Sequence, residues 1–309
     1  MRHLRARPCS PDPGRLCEGP VWDHDLQELL WVDITAGLIC RGSLVPRADG
    51  GGLPDILPRT TLALSGTVGA VQPTRNGSLI AAVSTSLIRV GDDGRQEELA
   101  SLALPTDGVR RRFNDATCDP RGRLLAGTMA FDATPGAGSL YQLGPDGLRV
   151  LLESVTISNG LGWSPDGALM YYADSATGRV DVFDYDLATG TPAGRRPFAA
   201  FDGGVPDGLT VDGEGNIWVA VWGAGHVRAF APDGVCHTVV DVPASHVTSV
   251  AFAGPALDTL VITTATEELT EDQLGEQRHA GRLFVCRTGI AGLPTVPFDD
   301  LASQHQETA

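Results

Sequence analysis

Residues 158–174, which read SNGLGWSPDGALMYYAD, contain the pattern that decides the fold. A short apolar strand is followed by the polar turn SPDG at 164–167, and a second apolar strand then ends in Asp174. Pro, Asp and Gly between two apolar runs are typical of a tight turn that joins two strands. The stretch therefore predicts a pair of adjacent strands.

The same pattern occurs six times along the chain. Its copies begin near residues 21, 71, 116, 161, 209 and 250. A third strand follows each pair, as at residues 138–143 and 179–184, and a fourth, outer strand comes next, as at residues 149–152 and 237–240. The period of roughly 40–50 residues is the size of a propeller blade.

Six near-equal repeats predict an all-β fold, a six-bladed β-propeller with four-stranded antiparallel blades around a central channel. One domain is expected over residues 1–309. Radial closure protects sheet edges that a pair of β-sandwiches, the alternative architecture, would leave exposed. Only the acidic residues 267–276 are expected to form a helix, a short one inserted in the last blade.

The charge and the hydropathy exclude several classes of protein. A net charge of -15 repels a phosphate backbone, so no nucleic acid is expected as a partner and a cation is a better one. No apolar run approaches the roughly 18 residues that cross a bilayer. The basic residues 1–8 are not followed by the apolar stretch of a secretory signal, which favours a cytoplasmic protein. We expect a monomer or a weak homo-oligomer.

The residue types also limit the chemistry. The six cysteines contain no C-x-x-C motif and are expected to be reduced and mostly buried. There is no lysine, so Schiff-base chemistry through a side-chain amine is excluded. Neither a G-x-S-x-G elbow nor an H-E-x-x-H motif is present. Hydrolysis by this chain would have to be assisted by a metal ion.

A ring of side chains is predicted at the channel entrance. The innermost strand of each blade lines the channel, so the residue just before that strand lies at the entrance in every repeat. The aligned positions are Glu18, Gly69, Asn114, Asn159, Asp207 and either Thr248 or Ser249. Two carboxylates and up to two amide carbonyls suit one hard divalent cation such as Ca²⁺, Mg²⁺ or Mn²⁺, and Zn²⁺ or Fe²⁺ are possible alternatives.

Some of these positions have a purely structural alternative. Asn-Gly and Asp-Gly are common tight-turn dipeptides, and both occur in the ring as Asn159-Gly160 and Asp207-Gly208. Three other Asp-Gly pairs are interpreted as such turns; they are Asp146-Gly147, Asp166-Gly167 and Asp233-Gly234. Glu is a poor turn former, so Glu18-Gly19 is hard to explain as a turn. Its position in the ring therefore favours a functional role for the ring residues.

The chain resembles regucalcin and the bacterial sugar lactonases from about residue 16 to 287. The resemblance is carried by CEGPVW at 17–22, RFND at 112–115, AGTM at 126–129, GSLY at 138–141, ISNGL at 157–161, PDG at 206–208 and AGRLF at 280–284. It implies a six-bladed propeller whose metal ligands are Glu18, Asn159 and Asp207. It also implies substrate binding by Arg112, Asn114 and Asp132, the last at a position where regucalcin carries Glu.

This resemblance predicts metal-dependent hydrolysis of sugar lactones such as glucono-, xylono- or arabinonolactone, with Asp207 as general base. Two alternatives stay open: a metal-dependent esterase or phosphotriesterase-like hydrolase, and a calcium-binding regulatory protein without catalysis. Arg112, Asn114 and Asp132 favour a polyhydroxylated substrate. No role is assigned to the histidines, which are expected to be structural or exposed; they include His24, His226, His246 and His279.

Overall fold

The computed structural model describes residues 1–103 and 106–300. It confirms the predicted fold: six sheets form the blades of a β-propeller. The predicted domain range of 1–309 includes residues 104–105 and 301–309, which lie outside the described residues. Among the described residues, no helix combines the length and the hydropathy that crossing a membrane requires.

The chain begins with two short strands and then builds three blades from consecutive strands. The first two are β1 (Arg2–Arg5) and β2 (Arg7–Pro8). Blade 1 consists of β3 (Cys17–Asp23), β4 (Glu28–Asp33), β5 (Leu38–Val45) and β6 (Asp55–Ala63). Blade 2 consists of β7 (Val68–Pro73), β8 (Leu79–Val83), β9 (Ser86–Val90) and β10 (Gln96–Ser101). Blade 3 consists of β11 (Arg111–Cys118), β12 (Leu124–Ala130), β13 (Gly138–Gly144) and β14 (Gly147–Val155).

The second half repeats this arrangement. Blade 4 consists of β15 (Ser158–Trp163), β16 (Leu169–Asp174), β17 (Arg179–Asp186) and β18 (Thr191–Ala200), with a 3-10 turn at Ser175–Thr177. Blade 5 consists of β19 (Val205–Val211), β20 (Ile217–Trp222), β21 (His226–Phe230) and β22 (Cys236–Asp241). Blade 6 contains β23 (Val247–Ala253), β24 (Thr259–Thr264) and β25 (Phe284–Arg287).

The N-terminus closes the ring of blades, which the sequence pattern did not predict. Strand β2 pairs antiparallel with β25 and supplies the fourth strand of blade 6. Strand β1 pairs parallel with β22 and makes the sheet of blade 5 five-stranded. Because blade 6 is built from both ends of the chain, separating it from blade 1 requires breaking backbone hydrogen bonds between distant residues.

The hydrophobic core lies between neighbouring blades. Five clusters of buried side chains fill the spaces between adjacent sheets, and the largest joins blades 5, 6 and 1. All six cysteines are unpaired thiols, and all but Cys236 are buried. The predicted helix is present as α1 (Glu271–Glu276), which is shorter than expected because Thr270 caps its N-terminus in a capping box with Gln273.

The inner strands of the six blades begin at one end of the channel, called here the ring end, and stop at the far end. The far end is covered by residues 291–299. This segment forms backbone hydrogen bonds to Gly213 and Leu257 and, on the other side of the channel, to Pro73 and Gly122. Between it and the ring end lies a cavity of about 400 Å³ with largely apolar walls. Residues 291–299 therefore cross the far end of the channel from blades 5 and 6 to blades 2 and 3.

Candidate metal and substrate site

The predicted ring residues lie at irregularities in the inner strands. Each inner strand shifts register against its neighbour near its start. The shifts fall directly after Glu18, between Phe113 and Ala116, between Ser158 and Leu161, and between Pro206 and Leu209. A β-bulge leaves a residue without its ladder partner and redirects its side chain. The ring residues are thus inside the inner strands, not just before them as predicted.

The glycines that follow the ring residues are not turn residues. Gly160 and Gly208 lie inside strands β15 and β19. A Cβ atom on Gly160 would lie 2.5 Å from the backbone N of Leu209, and one on Gly208 would lie 2.1 Å from Oγ of Ser249. Glycine is needed because neighbouring inner strands approach this closely at the ring end. By contrast, Gly147, Gly167 and Gly234 have positive φ in the three predicted turns.

Glu18 and Asp207 form a buried pair of carboxyl groups. They are 7% and 6% exposed, respectively, and their side chains share a hydrogen bond. Burial, followed by the negative charge of Asp115, raises the pKa of Glu18 to about 8. Burial and the charges of Glu18 and Asp115 raise the pKa of Asp207 well above its usual value. Among the described residues neither carboxyl group has a salt-bridge partner.

A chain of hydrogen bonds joins the other predicted residues across three blades. Arg112 donates from Nη1 to Asn114 Oδ1 over 2.6 Å, and Asn114 Nδ2 donates to Asn159 Oδ1 over 3.2 Å. Asn159 Nδ2 donates to Ser175 Oγ over 2.9 Å, and Ser175 donates to the carbonyl oxygen of Pro206 over 2.7 Å. The chain fixes the amide of Asn159, whose Oδ1 accepts from Asn114 and keeps one lone pair for a further partner. Ser175 carries no signal in the sequence, and its role was missed.

Two aspartates hold the segments that lead into the ring. Asp174 accepts from the backbone N–H groups of Thr156 and Ile157, two residues that precede β15. Asp33 accepts from the backbone N–H groups of Arg15 and Leu16, which precede β3. The repeat pattern contains both aspartates at the end of the second strand. Their function is thus to fix the backbone that carries Asn159 and Glu18.

Asp115 is a further acidic group of this site that the sequence interpretation did not single out. It follows Asn114 in the RFND segment and lines the channel cavity just beyond the ring. Burial raises its pKa to about 6, and its charge acts on both Glu18 and Asp207. Three carboxyl groups therefore share one low-dielectric region.

Asp132 lies at the ring end of blade 3 but outside the buried cluster. It is two residues beyond the end of β12, whose Met129 pairs with Arg112. The Asp132 carboxylate is exposed and accepts from the N–H of Thr134 over 3.1 Å and from its hydroxyl over 2.6 Å. The structure therefore shows a turn-stabilising role for Asp132, and its contact with a substrate stays a prediction.

The donor set fits a divalent cation. Within residues 1–103 and 106–300, no three His, Cys, Asp or Glu side chains form a metal-binding group. The predicted set instead contains two carboxylates and the amide oxygen of Asn159. Two carboxyl groups buried together without a salt-bridge partner hold excess negative charge, which either protons or a cation can compensate.

These features define a class of protein: a closed six-bladed propeller whose channel ends in a buried cluster of carboxyl and amide oxygens. The chain belongs to the family described as SMP-30/gluconolactonase/LRE-like, which matches residues 16–266.

Three relatives illustrate the similarity. A Bacillus subtilis (strain 168) protein named "Putative sugar lactone lactonase YvrE" is 37% identical over 91% of this chain and 94% of its own length. Regucalcin of Oryctolagus cuniculus is 34% identical over 95% of this chain and 98% of its own. The structure of a calcium-binding regucalcin from Agrobacterium tumefaciens has a TM-score of 0.86 at 27% identity and covers 97% of this chain and 99% of that one. Membership of this family supports hydrolysis of sugar lactones in general.

Proposed function

We propose that this protein hydrolyses aldonolactones, such as glucono-, xylono- or arabinonolactone, to the aldonic acids, using one divalent cation at the ring end of its channel. One observation carries the proposal. The Glu18 and Asp207 carboxyl groups are buried and share a hydrogen bond, without a salt-bridge partner among the described residues, and Ser175 links Asn159 to Pro206, the neighbour of Asp207. Isolated buried carboxylates are unfavourable, so such a cluster is expected where a cation binds.

Glu18, Asn159 and Asp207 would hold the cation. When bound, a divalent cation supplies a Lewis acid that polarises the lactone carbonyl and stabilises the charge that develops on its oxygen. Oxygen donors accept Ca²⁺, Mg²⁺, Mn²⁺, Zn²⁺ and Fe²⁺, so all five are candidate ions.

Asp207 is the proposed general base. Its carboxylate accepts the proton of the water that attacks the carbonyl carbon, and the proton is then available for the ring oxygen that leaves. Glu18 is hydrogen-bonded to Asp207 and is therefore within reach of the same proton. Removing the carboxylate of Asp207 should lower kcat by about 10²-fold or more.

Arg112 and Asn114 are the proposed substrate-orienting residues. Both are buried, and Arg112 Nη1 donates to Asn114 Oδ1, so the guanidinium is held in one direction at the channel mouth. A fixed guanidinium can donate several hydrogen bonds to the hydroxyl oxygens of a polyol. An apolar ester has no hydroxyl groups to accept them. This favours a sugar lactone over the esterase alternative. Asp132 would add a weaker contact from the exposed rim.

The proposal is tested by lactone opening, followed as proton release after subtraction of the spontaneous reaction. Metal-stripped protein is assayed with glucono-, xylono- and arabinonolactone and with an aryl ester, before and after addition of each of the five cations. Turnover of lactones that needs a cation supports the proposal and ranks the substrates. Cation binding without turnover favours a calcium-binding protein, and faster turnover of the ester favours the esterase; either result overturns the proposal.

A further inference from the structure

Glu267 occupies the ring end of blade 6 and has no place in the site described so far. It lies in the segment that joins β24 to β25, within a tight turn closed by a hydrogen bond from Leu269 N–H to the carbonyl of Thr266. Arg112 lies on blade 3, three blades away on the opposite side of a six-bladed ring. The two residues thus lie on opposite blades at the ring end.

Glu267 is held by three contacts that involve its backbone and its side chain. Its backbone N–H donates to the carbonyl of Arg15 over 3.0 Å, and its carbonyl contacts Nδ1 of His246 at 3.0 Å. His246, for which the sequence suggested no role, stacks on the Trp222 ring with centroids 4.0 Å apart. On the side chain, Oε2 accepts from the hydroxyl of Thr35 on blade 1 over 2.5 Å. The two backbone contacts fix the turn that carries Glu267, and the bond from Thr35 fixes its carboxylate.

The carboxylate keeps unused acceptor capacity. Glu267 is only partly buried, and among the described residues it forms no salt bridge. Its Oε1 atom accepts no hydrogen bond in the described part of the chain. An ordered acceptor that borders a binding region is suited to bind a ligand donor, because little conformational entropy is lost when the bond forms.

The charge of Glu267 acts across the mouth. Burial lowers the pKa of Arg112, and the negative charges of Glu18, Glu267 and Asp207 oppose that change. Glu267 is the one member of this group that is neither in the buried cluster nor on an inner strand. The mouth therefore has a hydrogen-bond donor wall at Arg112 and an acceptor wall at Glu267. A polyhydroxylated ring presents both acceptors and donors along its edge and matches the two walls.

We propose that Glu267 is a substrate-binding and specificity-determining residue, whose carboxylate accepts hydrogen bonds from substrate hydroxyl groups on the wall opposite Arg112. This deepens, and rests on, the proposed lactonase function. Thr35 is the corresponding positioning residue, since it contacts Glu267 and orients Oε2. The charge of Glu267 also disfavours lactones that carry a carboxylate or a phosphate near that wall.

The test compares Glu267→Gln with Glu268→Gln. Gln has the shape of Glu and can still accept from Thr35, so Glu267→Gln should keep the fold. Glu268→Gln is the matched control, because it removes the same charge from the next residue, whose side chain is exposed. In the Mn²⁺-loaded protein, Glu267→Gln should raise KM for glucono-δ-lactone about tenfold and leave kcat unchanged. KM for unhydroxylated δ-valerolactone should not change. Equal effects on both lactones, or no effect on either, would overturn the inference.

Thr35 provides a second variant. Thr35→Val should raise KM for glucono-δ-lactone several-fold without changing kcat. Thr35→Ser keeps the hydroxyl and should have the KM of the wild type. A purely structural role of Thr35 would instead lower the thermal stability of both variants and affect δ-valerolactone equally. That pattern would contradict the positioning role.

Calorimetric binding of D-glucitol separates this inference from the proposed function. If the wild type opens no lactone, the proposed function fails, but D-glucitol can still be titrated into the Mn²⁺-loaded protein. Weaker binding to Glu267→Gln than to Glu268→Gln supports the inference without any turnover. Equal binding to both variants, or no binding to the wild type, overturns it.

Discussion

Glu18 and Asp207 place two carboxyl groups in contact at a depth where water does not reach them freely. In the absence of a cation, the pair avoids repulsion by keeping a proton. A cation removes the need for that proton, so binding and deprotonation are coupled. At the scale of single residues, the proposed cation would therefore compete with protons for the Glu18–Asp207 pair.

The first prediction concerns the pH dependence of stability without metal. Both pKa values are raised in the folded protein, so the folded state binds more protons than the unfolded chain and unfolding releases them. The free energy of unfolding should therefore fall as the pH rises from the usual pKa of 4.5 for Glu towards about 8, by at most about 1.4 kcal/mol for each unit by which the pKa is raised.

Urea unfolding of metal-stripped protein at pH 5 and pH 8 measures this fall. Asp207→Asn removes the contribution of Asp207 and should reduce the fall, while burial still raises the pKa of Glu18; Asp202→Asn, at an exposed aspartate of the segment that precedes β19, should keep the whole fall. A wild type that becomes more stable between pH 5 and pH 8 would contradict the account.

A second prediction at this scale concerns Asp132. Its carboxylate is exposed to water and accepts two hydrogen bonds from Thr134 through Oδ1, so a substrate contact through Oδ2 would compete with solvent and contribute little. Asp132→Ala should raise KM for glucono-δ-lactone less than about fivefold and leave kcat unchanged. Steady-state kinetics measure both constants, and a kcat loss comparable to that of Asp207→Asn would be incompatible with this placement.

At the scale of the strands, the site depends on the bulges of the inner strands and on what holds them. Regular pairing would send alternate side chains to opposite faces, whereas a bulge at the same place in each inner strand directs oxygen atoms from different blades to one centre. Asp33 and Asp174 fix the entry into two of these strands, and Ser175 fixes the amide of Asn159. Metal affinity should therefore respond to residues that touch no metal.

The third prediction tests this support with Ser175→Ala. Loss of the hydroxyl leaves Nδ2 of Asn159 without its acceptor, so the amide can rotate and present nitrogen to the cation. The dissociation constant for Mn²⁺ should rise about tenfold, as for other supporting residues of metal sites. Thr177→Ala, in the same 3-10 turn, is the matched control. Calorimetric titration measures the Mn²⁺ dissociation constant of both variants. An unchanged constant in Ser175→Ala would show that Ser175 does not position Asn159 for the cation.

The strands and the ring of side chains could be predicted because they repeat. Turn residues and apolar runs mark each pair of strands, and aligning the repeats brings Glu18, Asn159 and Asp207 to equivalent positions. The bulges could not be predicted, since Asn-Gly and Asp-Gly are equally compatible with turns. Ser175 could not be found either, because its partners come from Asn159 and from Pro206 of the next blade. These contacts exist only once the blades are packed.

At the scale of the whole molecule, the two ends of the chain complete what the repeats begin. The N-terminal strands join blades 5 and 6, and the C-terminal segment covers the far end of the channel. Neither end shows the repeat pattern, which is why their roles were not predicted.

The fourth prediction concerns the C-terminal segment. Phe298 is 2% exposed and packs into the cluster between blades 2 and 3. Phe298→Ala should lower the free energy of unfolding by about 3 kcal/mol, because a buried aromatic ring is removed and a cavity remains. Leu293→Ala, which truncates a 36% exposed residue of the same segment, should cost less than about 1 kcal/mol. Urea unfolding of the metal-loaded proteins measures the difference, and similar losses would show that Phe298 does not anchor the segment.

The central claim is that one divalent cation held by Glu18, Asn159 and Asp207 is required for lactone hydrolysis. The most direct test titrates Mn²⁺ into metal-stripped wild type, Asp207→Asn and Asp202→Asn, and records bound Mn²⁺ together with the initial rate of glucono-δ-lactone opening. We predict that rate and bound ion rise together and saturate at one ion per chain in the wild type and in Asp202→Asn. The rate of Asp207→Asn should stay below about 1% of the wild-type rate. A wild-type rate that does not depend on Mn²⁺, or an Asp207→Asn variant that retains full activity, would contradict the claim.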